Sequence, residues 1–498
     1  METENKNKPA SPETINSLIV NMLLTLESSY KEMHADLRLV ELLKQDNVPA
    51  LDEEKKGYIG KILRVHANVC YTNLCLCAQL RASLKAKLNV EKQYIIRRSV
   101  VTLHETYKYL FGFTEKLTLW KELEVSLKNI YPAECQTINE ASQRFLQEYA
   151  QEEDGTLRDV AKHFSDDPTE FFESMESVTE RSVTERVAAA GAFLQPIHNI
   201  LIKELKGHLG AAYDMAMGYP MPHQVFDVVG NRNEKVDAFD EALEKYSGIV
   251  NQVMHQISAA KKVCSQFNVD ITQCGYWDAM TKNNIGLHIL YIYLDTISTF
   301  RAFSLSETFA EIRLNLAYFI LSVHEGFKKL YGFDAHKRDD SFWNRSIKTA
   351  IQKKGDDDAF KKADFIEKKL EVLAESKLLQ DEDMIVALTH VGTNKKRHNE
   401  SAFLVLDYFR HPVAKEEMNS LTEFLQVMND IVRLYNDVIG WESKQIQTET
   451  EMMFAGYYDK IDEFDKLMKY KISDPEVMAQ WEETSDKLRE MLKKLERI

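Results

Sequence analysis

Residues Tyr71–Phe113 read YTNLCLCAQLRASLKAKLNVEKQYIIRRSVVTLHETYKYLFGF, and residues Tyr291–Phe333 read YIYLDTISTFRAFSLSETFAEIRLNLAYFILSVHEGFKKLYGF. At an offset of 220 they align without a gap and share Tyr71/Tyr291, Leu74/Leu294, Arg81/Arg301, Ala82/Ala302, Glu91/Glu311, His104/His324, Glu105/Glu325, Lys108/Lys328, Leu110/Leu330, Gly112/Gly332 and Phe113/Phe333. These are eleven identities in 43 positions, where average residue usage gives roughly three. A unit of this length is too long for a solenoid repeat. It predicts two tandem copies of one domain, whose chemistry can be compared position by position.

Working outward, the apolar residues recur at helical spacing. Ser11-Pro12-Glu13 supplies a cap, a first-turn proline and an acid for a first helix through Ile15, Leu18, Met22 and Leu26. After a polar break around 45–54 come helices over about 52–88 and 90–111, the last closed by Gly112 with Phe113 folding back. A further helical region is expected at 168–207. Gly218-Tyr219-Pro220-Met221-Pro222 and Gly230-Asn231 mark the seam between copies. The expected organisation is a tail at 1–10, a first helical domain at 11–218, a linker at 219–232, a second domain at 233–442 and a helical extension at 443–498. That extension ends in an amphipathic helix begun by Ser473-Asp474-Pro475. The predicted fold is all-α, with two up-and-down helical bundles side by side.

With 498 residues, each half can bury a sizeable core. Only 18 Gly and 10 Pro interrupt the chain, which favours long helices. Six cysteines form no CxxC pair and read as free thiols of a reducing compartment. The polar N-terminus is unlike a signal peptide, and no run is apolar enough for a spanning helix, so a cytoplasmic location and no membrane contact are expected. The net charge of −15 argues against non-specific binding to DNA or anionic lipid.

The stretch Leu157-Arg158-Asp159-Val160-Ala161-Lys162-His163-Phe164 places a guanidinium and an imidazole five residues apart. On a helix both can reach one cleft. Histidine can move the ribose hydroxyl proton, and arginine can hold the phosphate and its transition-state charge. In the second half His390 stands in the place of His163, but Ile385 replaces the arginine, and Lys395, Lys396, Arg397 and His398 follow. Either the second copy lends His390 or this basic loop to a shared cleft, or neither copy cuts.

Arg158-Asp159-xxx-His163 resembles the signature of the HEPN superfamily of helical bundles. The resemblance implies a metal-independent endoribonuclease, with His163 as acid/base, Arg158 as phosphate clamp and Asp159 as orienting residue. It also implies RNA as partner, and a toxin or defence setting with a neutralising protein partner. A homo-oligomer is conceivable. No cofactor and no metal are expected: no histidine has Glu three residues before it, and HExxH is absent. His104-Glu105 and His324-Glu325 read as core histidines beside surface glutamates. Tyr107/Phe111 and Tyr109/Phe113 read as two packed pairs. The rival reading is a non-catalytic helical interaction scaffold.

Overall fold

The computed structural model describes residues 12–45, 51–113, 118–149, 168–176, 178–220, 232–266, 276–381, 415–440, 443–471 and 474–496, with short pieces between 384 and 406. The regular structure of the described residues is helical, with no strand among them, so the all-α fold stands. None of their helices is long and apolar enough to cross a membrane. The first half contains α1 (Pro12–Lys44), α2 (Glu53–Lys85), α3 (Asn89–Leu110), α4 (Leu119–Leu127), α5 (Pro132–Tyr149), α6 (Pro168–Glu176), α7 (Glu180–Leu209) and α8 (Ala211–Gly218). The second contains α9 (Arg232–Gln266), α10 (Tyr276–Ser304), α11 (Phe309–Leu330), a 3-10 helix (Ala335–Asp340), a π-helix (Trp343–Lys348), α12 (Thr349–Lys354), α13 (Asp357–Ala374), α14 (Lys377–Gln380) and α15 (Lys415–Val438). The chain ends in α16 (Ser443–Lys471) and α17 (Pro475–Glu496).

The bounds repeat at the sequence offset. α1 and α9 begin 220 residues apart, and α3 and α11 are both 22 residues long with the same separation. Each third helix closes in a left-handed glycine, Gly112 at φ 66° and Gly332 at φ 78°, a conformation that costs glycine little. α7 and α15 also run into positive-φ glycines, Gly210 and Gly440. The closing glycine turns Phe113 back onto His104 and Tyr107, at ring distances of 4.8 and 5.4 Å. The expected Tyr109/Phe113 pair therefore does not form, because the helix stops at Leu110, and Tyr109 instead reaches the Arg64 carbonyl. Phe333 makes the matching return onto His324 and Phe327.

The halves meet where α3 packs on α10 and α2 on α11, and the contact is reciprocal. Arg81 Nε donates to Glu311 Oε1 at 2.5 Å, while Arg301 Nε donates to Glu91 Oε1 at 2.7 Å. Each glutamate uses its other oxygen to hold backbone at the start of its own helix. Glu311 Oε2 accepts from the Thr308 and Glu307 amides at 3.0 Å, and Glu91 Oε2 accepts from Lys87 N at 3.2 Å. Position i touching j while j touches i is the geometry of a two-fold interface. A second reciprocal set has diverged. Arg98 of the first half pairs with Asp295, whereas Tyr318, 220 residues on from Arg98, accepts from Gln79 Nε2 at 2.5 Å, and Cys75 stands 220 before Asp295. In the core, the Thr72–Thr106 hydroxyl pair, 2.7 Å apart, becomes Ile292 facing Gly326, where an added Cβ would lie 2.8 Å from Ile292 Cγ2.

Phe171 of α6 stacks on Tyr291 of α10, with centroids 3.5 Å apart. Among the described residues, most buried apolar side chains from Leu26 to Ile439 form one connected cluster, and Ala82, Ala86, Ile95 and Ala302 form a small separate one at the seam. α16 and α17 pair through Trp481 and Arg489, both bonded to Asp465, and α17 rests on α9.

Burial pulls the Glu311 carboxyl upward, but Arg81 and the Glu307 and Thr308 amides outweigh it, leaving a value below the ordinary 4.5. A carboxyl depressed on folding stabilises above its unfolded value and loses that contribution as pH falls. Urea unfolding should therefore show stability declining below about pH 4.5. Glu311→Gln should lose about 3 kcal/mol at neutral pH and flatten the acid slope. Superimposable pH profiles for wild type and variant would exclude this role for the seam.

Candidate metal centre

The positions singled out in the sequence fall outside the described residues. Arg158, Asp159 and His163 lie within 150–167, and His390, Lys395, Lys396 and Arg397 within 389–402. The other histidine pair is structural. His324 Nδ1 lies 2.8 Å from the Leu379 carbonyl oxygen, and Glu105 is buried rather than at the surface. Arg98, which also has a histidine six residues on, is held by Asp295.

A different group converges inside the first half. Glu32 and Asp36 stand one turn apart on α1, and His66 and Cys70 one turn apart on α2. Side chains four residues apart share a helix face. The pairing Asp36–His66 and Glu32–Cys70 shows the two helices running antiparallel, which brings both faces together. α7 adds His198, two residues after Pro196, a residue that removes one backbone hydrogen bond from the helix.

The Glu32 carboxylate is the hub. Its Oε2 is 2.6 Å from His198 Nε2, 3.6 Å from His66 Nε2 and 3.3 Å from Cys70 Sγ. Cys70 Sγ and His66 Nε2 are 3.8 Å apart. One ligand atom from each of the four residues lies within 4.8 Å of all the others. Asp36 Oδ2 takes His66 Nδ1 at 2.7 Å, fixing the ring so that Nε2 faces the hub. The two imidazoles stack with centroids 5.1 Å apart. The His66, Asp36 and Cys70 side chains have no exposed surface, while Glu32 and His198 keep 12% and 16%, so the only wet edge is theirs.

The electrostatics follow from burying carboxylates beside imidazole. Burial works against charge on His66, but Asp36 and Glu32 outweigh it and hold the imidazole above its ordinary value. Burial raises the Glu32 carboxyl, yet the His198 hydrogen bond and the charge of His66 bring it below. The Cys70 thiol is pushed well above 9.0, by burial first and then by the two carboxylates.

Two chemistries fit such groups. Cys70, His66 and Asp36 stand in the order of a thiol–imidazole–carboxylate triad. Against it, the thiol is sealed, its pKa is raised rather than lowered, and Glu32 and His198 occupy the space a substrate would need. One thiol, two imidazoles and a carboxylate also make a four-coordinate zinc-type donor set. Metal–ligand bonds of about 2.0–2.3 Å imply tetrahedral edges of about 3.3–3.8 Å, and three of the four distances already match. Asp36 on Nδ1 is the carboxylate that metal-bound histidines characteristically use.

The short helix α8 covers this end of the bundle, packing on α1 and α7 beyond Gly210, at φ 48°. Tyr213 is buried, and its hydroxyl is pushed up by burial and then by Asp36 and Glu32. Arg38 fastens α8 by donating to the carbonyls of Ala216 at 3.3 Å and Pro220 at 3.2 Å, under the Tyr219 ring.

The second half lacks the donors. Positions 220 on from Glu32, Asp36, His66 and Cys70 are Gln252, Gln256, Gly286 and Leu290. Twelve residues before Gly210 stands His198, and twelve before Gly440 stands Met428. The two i, i+4 pairs were visible in the sequence, but His198 lies 132 residues beyond His66, and only the packing of α7 joins them.

In chelator-treated protein, Asp36→Leu should lose about 3 kcal/mol, because it strands a buried imidazole. Gln252→Leu in the other half should stay within about 0.5 kcal/mol. Equal losses in chemical denaturation would contradict the assigned role of Asp36. Comparisons with protein-family models, with curated proteins and with solved structures find no match for this chain.

Proposed function

We propose that this chain is a metal-binding helical protein, holding one divalent ion of the zinc class between α1, α2 and α7. The observation that carries the reading is the convergence of Glu32, His66, Cys70 and His198 in the interior of the first half, with Asp36 behind His66. Four protein donors leave no coordination position for substrate, so the ion acts as a structural cross-link rather than a hydrolytic centre. Binding exchanges protons for metal: the Cys70 thiol and the His66 imidazolium must both give up a proton. The ion replaces the proton between Glu32 Oε2 and His198 Nε2, which moves to His198 Nδ1, and the two atoms part by about 0.8 Å.

The chain is read as two copies of one unit, a reading supported by the reciprocal seam and the repeated helix bounds. On that reading the first copy keeps the metal chemistry, and the second has lost its donors. Cleavage of RNA by Arg158 and His163 is a separate proposal carried by their motif alone. The two are separable, since metal-independent cleavage survives chelation.

Elemental analysis of purified protein dialysed against zinc should find about one ion per chain. Cobalt substitution should add a thiolate charge-transfer band that disappears in Cys70→Ser. At a hundredfold excess over its Kd, the ion should stabilise the fold by about 2.7 kcal/mol. Equal metal content in wild type and a His66→Gln/Cys70→Ser double variant would refute the centre.

A further inference from the structure

A second cleft, on the other half of the molecule, has a different chemistry. Gly332 turns the chain out of α11 into the 3-10 helix and then the π-helix. These segments, the end of α11 and His288 of α10 enclose a space of about 660 Å³, within the range of small-molecule sites. Its walls include Tyr331, Phe333 and Phe342, and the Phe342 ring meets His288 edge-on at 5.0 Å.

Lys328, Lys329, Lys337 and Arg345 line this cleft against two carboxylates, Asp334 and Asp340. Asp334 is already engaged, accepting the His336 amide at 3.0 Å and lying 3.6 Å from Lys337. An excess of cations is unusual on a chain of net charge −15, and a concave wall concentrates its field. Lys328 and Lys329 have a simpler explanation as last-turn cations of α11. Arg345 does not, since it belongs to no α-helix end, and Lys337 is held, among the described residues, only by its exposed 3.6 Å pair with Asp334.

Arg345 owes its place to the π-helix Trp343–Lys348. Such turns are rare and gather at functional sites. This one is anchored on the far side by the buried Trp343. It is pinned by Asn344, whose amide donates to Ser341 Oγ at 3.3 Å and whose side chain donates to the Arg338 carbonyl at 2.9 Å. The wide turn holds Arg345 and Ser346 on the cleft side.

We infer that this cleft binds a small organic phosphate carrying a flat ring, of the size of a nucleoside monophosphate. Arg345 and Lys337 take the phosphate, and Phe333 and Phe342 face the ring. Guanidinium is suited to two-point contact with phosphate oxygens, and aromatic walls accept a base without reading its edge. The inference is independent of the metal centre.

The test is calorimetric titration of the full chain with AMP, adenosine and inorganic phosphate. AMP should bind more tightly than either fragment. Arg345→Ala and Lys337→Ala should each weaken it about tenfold or more, the loss expected for one charge-assisted hydrogen bond. Both side chains are exposed, so the variants should fold, as an unchanged circular dichroism spectrum would establish. Absence of AMP binding at millimolar concentration, adenosine or phosphate binding as tightly as AMP, or indifference to both substitutions would overturn the assignment.

Discussion

Two carboxylates one turn apart on the inner face of α1 set the terms for the first half. A buried carboxylate needs compensating charge or donors, or it forces the protein open. Glu32 and Asp36 find theirs in His66, His198 and Cys70, drawn from two other helices. The antiparallel pairing of α1 with α2 and the approach of α7 bring these partners in, and α8 seats its buried Tyr213 over the same end. A divalent cation answers it with less protonation, which is why the cluster reads as a metal centre and not as an accident of packing.

In the second half, the positions 220 on from these donors make no such demand. Those positions hold Gln252, Gln256, Gly286 and Leu290, none of which brings a charge, and Leu290 and Met428 are buried in the core. The substitution of Ile292 and Gly326 for Thr72 and Thr106 follows the same logic, one side chain growing as its neighbour shrinks. A buried polar network rigidifies where its members are satisfied and is costly where they are not. In the first-half cluster Asp36 Oδ1 and His198 Nδ1 are buried with no hydrogen-bond partner among the described residues, and the positions 220 on carry no charged group.

Much of the fold was legible in the sequence. The shortage of glycine and proline and the helical periodicity announced long helices, and the segments aligned at an offset of 220 hold helices of equal length, α3 and α11. The glycines at 112 and 332 marked helix ends, and both adopt positive φ. The candidate centre was not legible, for a physical reason. Its donors sit at i, i+4 on two helices and singly on a third, and a spacing of four is the commonest pattern on any buried helix face. Only tertiary packing tells a ligand pair from a core pair. Motif reasoning pointed instead to Arg158 and His163, which fall outside the described residues, and its search for Glu-x-x-His passed over Glu32 and His66. The surface glutamate expected at Glu105 proved buried, because α3 has helices on more than one side.

The glutamates of the seam have a consequence for synthesis. Glu91 helps order the start of α3, yet the arginine that neutralises it is residue 301. While the ribosome is still translating the α7 region, Arg81 and Glu91 have left the tunnel and face water without their native partners. The first half therefore completes its ionic closure only after Arg301 and Glu311, 210 and 230 residues beyond Glu91 and Arg81, emerge. A pause or truncation in that interval leaves a self-complementary face on view, open to another nascent chain bearing the same face.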